Sequence, residues 1–188
     1  MQLFYTENIN EEISLTKEEN RHLIKVLRKN VGDKINIING NGFLFITEIT
    51  DITKNIASLK VIKKEKKEKQ HKYNLHLAIA PTKNINRFEW FLEKATEIGV
   101  YSIIPIISQH SEKSRLNFDR CTKILVSAMK QSLTTRLPIL NAPIGFNDYI
   151  KRTAEIDKKF IATCKSNNSV LLKHELKKGL SAEILIGP

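Results

Sequence analysis

Residues 81–109, which read PTKNINRFEWFLEKATEIGVYSIIPIISQ, decide the fold of this 188-residue chain. Apolar side chains recur in this stretch at helical spacing, namely at Phe88, Phe91, Leu92, Ala95 and Ile98. Gly99 follows where a left-handed residue ends a helix. The run IIPII is then apolar on both faces, as in a covered parallel strand. The stretch therefore predicts an amphipathic helix that leads into a central strand of an α/β sheet.

Strand-like and helix-like runs alternate in the remainder of the chain beyond residue 74. The further elements predicted are strands at 75–80 (LHLAIA), 158–164 (KKFIATC) and 182–188 (AEILIGP), and a helix at roughly 119–133. This alternation is typical of an α/β domain with a mostly parallel sheet. Ligands of such sheets bind beyond the carboxyl ends of the strands. The candidate binding segments are thus 80–83, 108–111, 163–166 and 187–188.

The first 62 residues have the pattern of a small β domain. Thr16 and Glu19 form a capping-box pattern, which predicts the start of one helix. Two strand-like runs flank residues 39–42 (NGNG), a sequence that accepts positive φ in a hairpin turn. A third run at 55–64 completes a meander. A compact barrel with one inserted helix is the simplest arrangement of these elements.

The charge of the chain is strongly positive. Thirty-one Lys and Arg against 20 Asp and Glu give +11, with a pI near 9.6. Such a surface attracts nucleic acid, although AT-rich codon usage also inflates lysine. The lysine-rich run at 63–73 is either an exposed linker or the end of a hairpin. Arg21, Lys25 and Arg28 recur at helical spacing, and this stripe either grips phosphates or is a solvated helix face.

Several classes of protein are disfavoured by the sequence. Cys121 and Cys164 lie far apart without metal-site spacing, which predicts no metal and a reduced, cytoplasmic location. There is no signal-peptide pattern and no run of 18 apolar residues, so no membrane association is expected. A glycine-rich dinucleotide motif and a P-loop are also missing from the sequence.

Four blocks of sequence resemble the bacterial 16S rRNA (uridine) N3-methyltransferases of the knotted SPOUT superfamily. The blocks are 22–28 (HLIKVLR) with 31–33 (VGD), 87–100 (RFEWFLEKATEIGV), 130–138 (KQSLTTRLP) and 185–188 (LIGP). They cover essentially the whole chain in order, and the second block is the most specific. Lys130 departs from the pattern, because the family has Glu there.

The resemblance implies an α/β protein of two domains. An N-terminal PUA-like β-barrel that binds RNA is expected at 1–70, and a SPOUT methyltransferase domain at 74–188. Members of the family continue beyond the glycines of a cofactor loop and complete a trefoil knot. Because the sequence ends at Pro188, we expect this domain to be partial and its knot incomplete.

The resemblance further implies S-adenosylmethionine-dependent methylation of N3 of a uridine in 16S rRNA, a reaction of the EC 2.1.1 class. The partners implied are 16S rRNA in the small ribosomal subunit and a second copy of the full-length chain in a homodimer. Arg136 is the candidate catalytic residue. The candidate cofactor-binding residues are Thr163, Ile186, Gly187 and Pro188, and the RNA-binding candidates are Arg21, His22, Lys25, Arg28, Lys83, Arg87 and Gln131.

Two questions stay open from the sequence. Glu89 and Glu97 are possible general bases, but helix-surface carboxylates are more often structural partners of cations such as Lys94 or Arg87. The alternative function is a non-catalytic RNA-binding or ribosome-assembly factor. A DNA-binding regulator is a weaker alternative, because the sequence has no helix-turn-helix pattern.

Overall fold

The computed structural model describes residues 2–7, 9, 13–69, 71–108, 116–152, 155–163, 170–175 and 179–187. Their contacts divide the chain into two compact units. The first unit combines residues 1–69 with 126–137, and the second combines 70–125 with 138–188. The domain boundaries that the sequence predicts, 1–70 and 74–188, stay predictions.

Ten strands and five α-helices make up the described part of the chain. The strands are β1 (Leu3–Tyr5), β2 (Lys34–Ile38), β3 (Phe43–Thr53), β4 (Ile56–Lys66), β5 (Leu75–Ile79), β6 (Ser102–Ile107), β7 (Ile139–Leu140), β8 (Ile144–Gly145), β9 (Lys158–Ala162) and β10 (Ala182–Ile186). The helices are α1 (Lys17–Arg21), α2 (Ile85–Glu97), α3 (Phe118–Gln131), α4 (Phe146–Lys151) and α5 (Leu172–Glu175).

The sheet of the first unit has the strand order β1-β2-β3-β4. The antiparallel pairs β2–β3 and β3–β4 confirm the predicted meander. Gly40 and Gly42 have φ values of +77° and +84° in the turn before β3, as the NGNG sequence predicts. Strand β1 pairs with β2 in parallel, which the sequence pattern did not indicate. The apolar core of this unit includes Phe4, Leu23 and Ile37.

The predicted lysine run begins inside the β3–β4 hairpin, since β4 continues to Lys66. The register shifts between Ile46 and Thr47, so one residue of β4 is left without a partner and the alternation of faces changes there. Lys64 consequently lies opposite Phe45, and its ammonium is 4.3 Å from the centre of the Phe43 ring. The hairpin alternative for this run is therefore confirmed for its first four residues.

Helix α1 begins at the predicted cap, where Thr16 Oγ1 accepts a hydrogen bond from the Glu19 amide at 3.2 Å. The helix continues as a π-helical turn over His22–Val26. Arg28 lies beyond this turn with a φ of +52°. The prediction of one helical stripe is therefore wrong in its third member, because the chain has already left the helix at Arg28.

The sheet of the second unit is parallel throughout, with the order β7-β6-β5-β10-β9 and with β8 also paired to β6. Strand β6 is buried along almost its entire length, as the IIPII run predicts. Helix α2 buries Phe88, Leu92 and Ala95, and Gly99 follows it with a φ of +79°. Ile98 differs from its predicted place on the apolar face, since it is 56% exposed at the end of the helix.

Leu92 tests the burial of α2, because it has no exposed surface. We expect Leu92→Ala to lower the free energy of unfolding by about 2–5 kcal/mol, since it removes buried methyl groups and leaves a cavity. Ile98→Ala removes similar carbon atoms from an exposed position and should cost less than about 1 kcal/mol. Urea unfolding of both variants measures the difference, and equal losses would contradict the assigned burial.

A polar cluster lies at the amino ends of the parallel strands. His76 Nδ1 is 2.7 Å from the hydroxyl of Ser102 on β6, and His76 is in register with Glu183 on β10. The Glu183 carboxylate accepts a hydrogen bond from Arg152. Burial lowers the pKa of His76 below its ordinary value of 6.5; the Glu183 charge opposes this shift and the Arg152 charge adds to it. The folded protein therefore favours neutral His76.

This lowered pKa gives a sign to the pH dependence of stability. Below pH 6.5 the unfolded chain binds a proton at His76 before the folded chain does, so the free energy of unfolding falls as the pH drops. The slope from one such group is at most about 1.4 kcal/mol per pH unit. We expect His76→Gln to flatten this slope between about pH 7 and pH 5, where histidine titrates. His71→Gln should leave the slope unchanged. Denaturant titrations across that range measure both.

Candidate functional site

The carboxyl edge of the parallel sheet is the first candidate site. Strand β10 lies between β5 and β9, and Ile186 is in register with Ile79 on one side and with Ala162 on the other. The Ala80 amide donates to the Ile186 carbonyl at 3.0 Å, which extends the pairing by one residue. Thr163 and Gly187 therefore leave neighbouring strands at one edge. Pro188 lies outside the described residues.

The groups at this edge are uncharged and can form hydrogen bonds with a polar ligand. Among the described residues other than its chain neighbours, none has a heavy atom within 4 Å of the position that a Cβ on Gly187 would occupy, which allows close approach to the backbone there. Thr163 is exposed and offers a hydroxyl group that both donates and accepts hydrogen bonds. This arrangement brings together three of the four predicted cofactor-binding residues.

Helix α2 of the same unit holds the two predicted bases in ion pairs. Glu89 accepts two hydrogen bonds from the Arg120 guanidinium, at 2.5 and 2.8 Å. Glu97 accepts from Lys94 at 2.9 Å. The structural role is thus supported for both, with Arg120 as a partner of Glu89 that the sequence did not indicate. Lys83 precedes α2 and Arg87 lies in its first turn, and both are exposed.

A pocket of about 470 Å³ in the first unit is the second candidate site. Its walls come from the start of β1, from the π-helical turn and from the end of α3. The lining residues are Gln2, Leu3, His22, Ser127, Lys130, Gln131 and Leu133. The pocket thus brings together His22 and Gln131, two of the predicted RNA-binding residues.

Lys130 is paired within the first unit. Its ammonium donates to Glu19 Oε1 at 2.6 Å, and the two side chains are only 22% and 12% exposed. Glu19 Oε2 is buried and has no hydrogen-bond partner among the described residues. Lys130, which stands where the family has Glu, therefore has a carboxylate beside it, and the charge of its ammonium is largely neutralised.

Helix α3 ends beside this pocket in a Schellman motif. The Thr134 amide donates to the Met129 carbonyl at 3.1 Å, and the Leu133 amide donates to the Lys130 carbonyl at 3.4 Å. Leu133 occupies the left-handed position of the motif, with a φ of +56°, and its side chain is 48% exposed. A leucine in this conformation costs about 1–2 kcal/mol relative to glycine.

Arg136 follows this turn and packs against the NGNG segment. Its backbone forms a bridge with Asn41, and a Cβ on Gly42 would lie 2.5 Å from a guanidinium nitrogen. The Arg136 Nε is buried and has no hydrogen-bond partner in the described ranges. The side chain therefore retains an unused donor, and its predicted catalytic role stays a prediction.

The other predicted RNA-binding cations lie on the surface of the first unit. Arg21, Lys25 and Arg28 are exposed, and none of them lines the pocket. Leu133 and Ser127 do line it, and sequence reasoning missed both. The sequence LTT carries no glycine or asparagine that would indicate a left-handed residue, so no signal was available for Leu133.

The described residues contain neither a metal-site cluster nor a helix that could span a membrane. No group of three or more His, Cys, Asp or Glu there is arranged to hold a metal ion. Among the same residues, every helix is too short or too polar to cross a membrane.

Comparison with known families matches nearly the whole chain. Residues 68–188 match the model of an RNA methyltransferase domain, and residues 15–62 match that of an RNA methyltransferase PUA domain. The ribosomal RNA small subunit methyltransferase E of Rickettsia conorii is 30% identical over 180 residues, which cover 95% of this chain and 73% of that protein.

Two solved structures have the same fold. A probable rRNA-methyltransferase from Porphyromonas gingivalis is 32% identical with a TM-score of 0.91, and the match covers 100% of this chain and 80% of that one. A ribosomal RNA small subunit methyltransferase E from Neisseria gonorrhoeae, bound to S-adenosyl methionine, is 23% identical with a TM-score of 0.84 and the same coverage. The RNA methyltransferase and PUA fold expected from the sequence is therefore confirmed, and the chain belongs to the ribosomal RNA small subunit methyltransferase E family.

Proposed function

We propose that this protein transfers a methyl group from S-adenosylmethionine to N3 of a uridine in 16S rRNA. The family membership supports the reaction class, and the relative in Rickettsia conorii is named for ribosomal RNA of the small subunit. The observation that carries the proposal is the carboxyl edge of β5, β10 and β9, where Thr163 and Gly187 leave adjacent parallel strands. Ligands of parallel sheets bind at such an edge.

The residues at this edge fit the chemistry of the cofactor. Adenosine and the methionine part of S-adenosylmethionine are rich in hydrogen-bonding groups; the Thr163 hydroxyl and the backbone at Gly187 can approach such groups, and Ile186 leads into that backbone. Pro188 completes this proposed set. The bound cofactor supplies the electrophilic methyl group, whereas the protein contributes orientation and electrostatics.

The protein also has to help N3 lose its proton, because N3 of uridine is protonated at neutral pH. Arg136 is the proposed catalytic residue: its guanidinium would stabilise negative charge that develops on the uracil carbonyl oxygens. The Nε atom has no hydrogen-bond partner in the part of the chain that the structure describes, which supports a role for this group beyond packing against Gly42. Glu89 and Glu97 are held in ion pairs, which favours their structural roles over that of a base.

RNA binding is assigned to cations of both units. Arg21, Lys25 and Arg28 in the first unit, and Lys83 and Arg87 in the second, would contact phosphates, which position an RNA without reading its sequence. The proposal includes a cytoplasmic location and a homodimer of the full-length protein.

Cofactor binding is tested at Gly187, where an added Cβ would lie more than 4 Å from the described residues other than the chain neighbours of the glycine. We expect Gly187→Val to leave the melting temperature unchanged but to weaken the binding of S-adenosylmethionine at least about tenfold, because the side chain occupies space proposed for the ligand. Gly145→Val is the matched control: a Cβ there meets only Asp148, at 3.5 Å. Isothermal titration calorimetry of the full-length protein measures both variants.

The outcome of this titration also separates the two candidate functions. A non-catalytic RNA-binding or assembly factor requires no S-adenosylmethionine. Absence of heat from the unmodified full-length protein would therefore reject the enzyme. Equal binding by the two variants would instead reject the carboxyl edge as the cofactor site and leave the enzyme reading intact.

The substrate is tested by nucleoside mass spectrometry of 16S rRNA from cells that lack the gene. We expect N3-methyluridine to disappear from that RNA and to return when the gene is supplied again. Arg136→Lys should restore less of it than the unmodified gene, because a lysine keeps the charge but loses the planar guanidinium fork. Persistence of the modification after deletion would show that the proposed substrate is wrong.

A further inference from the structure

We propose that the pocket at the end of α3, in the first unit, binds one unstacked base of the RNA. This inference rests on the proposed function, since it takes RNA to be the substrate. It differs from the phosphate contacts assigned above, because it concerns a single base and involves three lining residues that are not among the predicted RNA-binding residues: Gln2, Ser127 and Leu133.

The charge of the pocket favours a base over a phosphate. Lys130 is the one lysine among the residues that line the pocket, and its ammonium donates a hydrogen bond to Glu19 Oε1 at 2.6 Å. The remaining polar groups include two side-chain amides, Gln2 and Gln131, and the hydroxyl of Ser127. Amides present a donor and an acceptor side by side, which matches the edge of a nucleobase. Unpaired bases are the parts of RNA that proteins read in this way.

The size of the pocket is also suitable. Its volume of about 470 Å³ lies within the range typical of pockets for small organic ligands, which is roughly 300–1,000 Å³. A base needs an apolar surface against its flat face as well as polar groups at its edge. Leu133 provides such a surface, since it lines the pocket and is 48% exposed.

The backbone at Leu133 supplies an independent observation. Helix α2 ends in the same motif as α3: the Val100 amide donates to the Ala95 carbonyl, and Gly99 takes the left-handed position with a φ of +79°. The motif is therefore satisfied without a side chain at that position. Leu133 adopts the same conformation against its preference and keeps an exposed apolar side chain there. Residues held in this way cluster at ligand-binding sites.

The first test replaces Leu133 by the residue that its backbone prefers. We expect Leu133→Gly to melt no lower than the unmodified protein. Its affinity for a single-stranded oligouridylate of roughly 12 nucleotides should nevertheless fall about fivefold, as expected from the loss of one contact with a base. Fluorescence anisotropy at one fixed salt concentration measures this, because phosphate contacts vary steeply with salt.

Two controls separate the contribution of the base from that of the phosphates and from the effect of a glycine substitution on the protein backbone. An abasic oligomer of the same length and charge should bind the unmodified protein and Leu133→Gly equally. Asn55→Gly makes the matched change in the hairpin of the same unit, where φ is +63°, and should leave both affinities unchanged. Equal losses for the oligouridylate and the abasic oligomer would overturn the proposal, as would an unchanged affinity for both.

Photocrosslinking locates the base directly. The same oligomer with 4-thiouridine should crosslink to the peptides that contain Gln2 or residues 127–133. Crosslinks that all lie elsewhere would overturn this inference. A change in sedimentation of Leu133→Gly with no change in affinity would also overturn it, since the pocket would then face a second copy of the chain. If N3-methyluridine depends on the gene while either result is obtained, the proposed function stands and only the base site fails.

Discussion

The parallel pairing of β10 between β5 and β9 is the constraint on which the second unit depends. These strands are far apart in the sequence, yet their registers place Ile79, Ile186 and Ala162 side by side. Parallel neighbours cannot be joined by a short turn, so β6, α2 and the later helices serve as the connections that the topology requires. The candidate cofactor edge is a consequence of this pairing, because Ala80, Thr163 and Gly187 follow these three strands at the same edge of the sheet.

The first unit depends in the same way on the second half of α3. Met129 has no exposed surface and packs with Leu3, Ile38 and Leu44. The next residue, Lys130, donates a hydrogen bond to Glu19, whose backbone amide in turn donates to the capping Thr16 Oγ1 at the start of α1. Apolar burial thus fixes the helix end, and the ion pair adds orientation. The left-handed turn at Leu133 follows directly and places its side chain beside the pocket.

Local pattern predicted those elements whose sequence carries their own signal. The period of α2, its stop at Gly99 and the apolar run of β6 are of this kind, and so is the cap at Thr16. The parallel partner of β1, the bulge in β4 and the Glu89–Arg120 pair depend on residues that meet only in the folded chain. For the site, the carboxyl edge could be predicted from the strand order. The pocket at Leu133 depends on a left-handed backbone conformation, which the residue type leucine does not indicate.

The distribution of charge suggests how such a basic protein can still be selective. In the lysine run, Glu65 forms ion pairs with Lys63 and Lys67. The hydrogen bond from Lys63, and to a smaller extent that from Lys67, lowers the pKa of Glu65 to about 2. Lys64 lies over an aromatic ring. These partners are exposed, so salt and solvent screen them, and the net charge of +11 still attracts any RNA. Attraction of this kind is independent of sequence. Discrimination between bases must then come from sites where the cation is neutralised and uncharged donors and acceptors remain, which is the composition of the pocket beside Lys130.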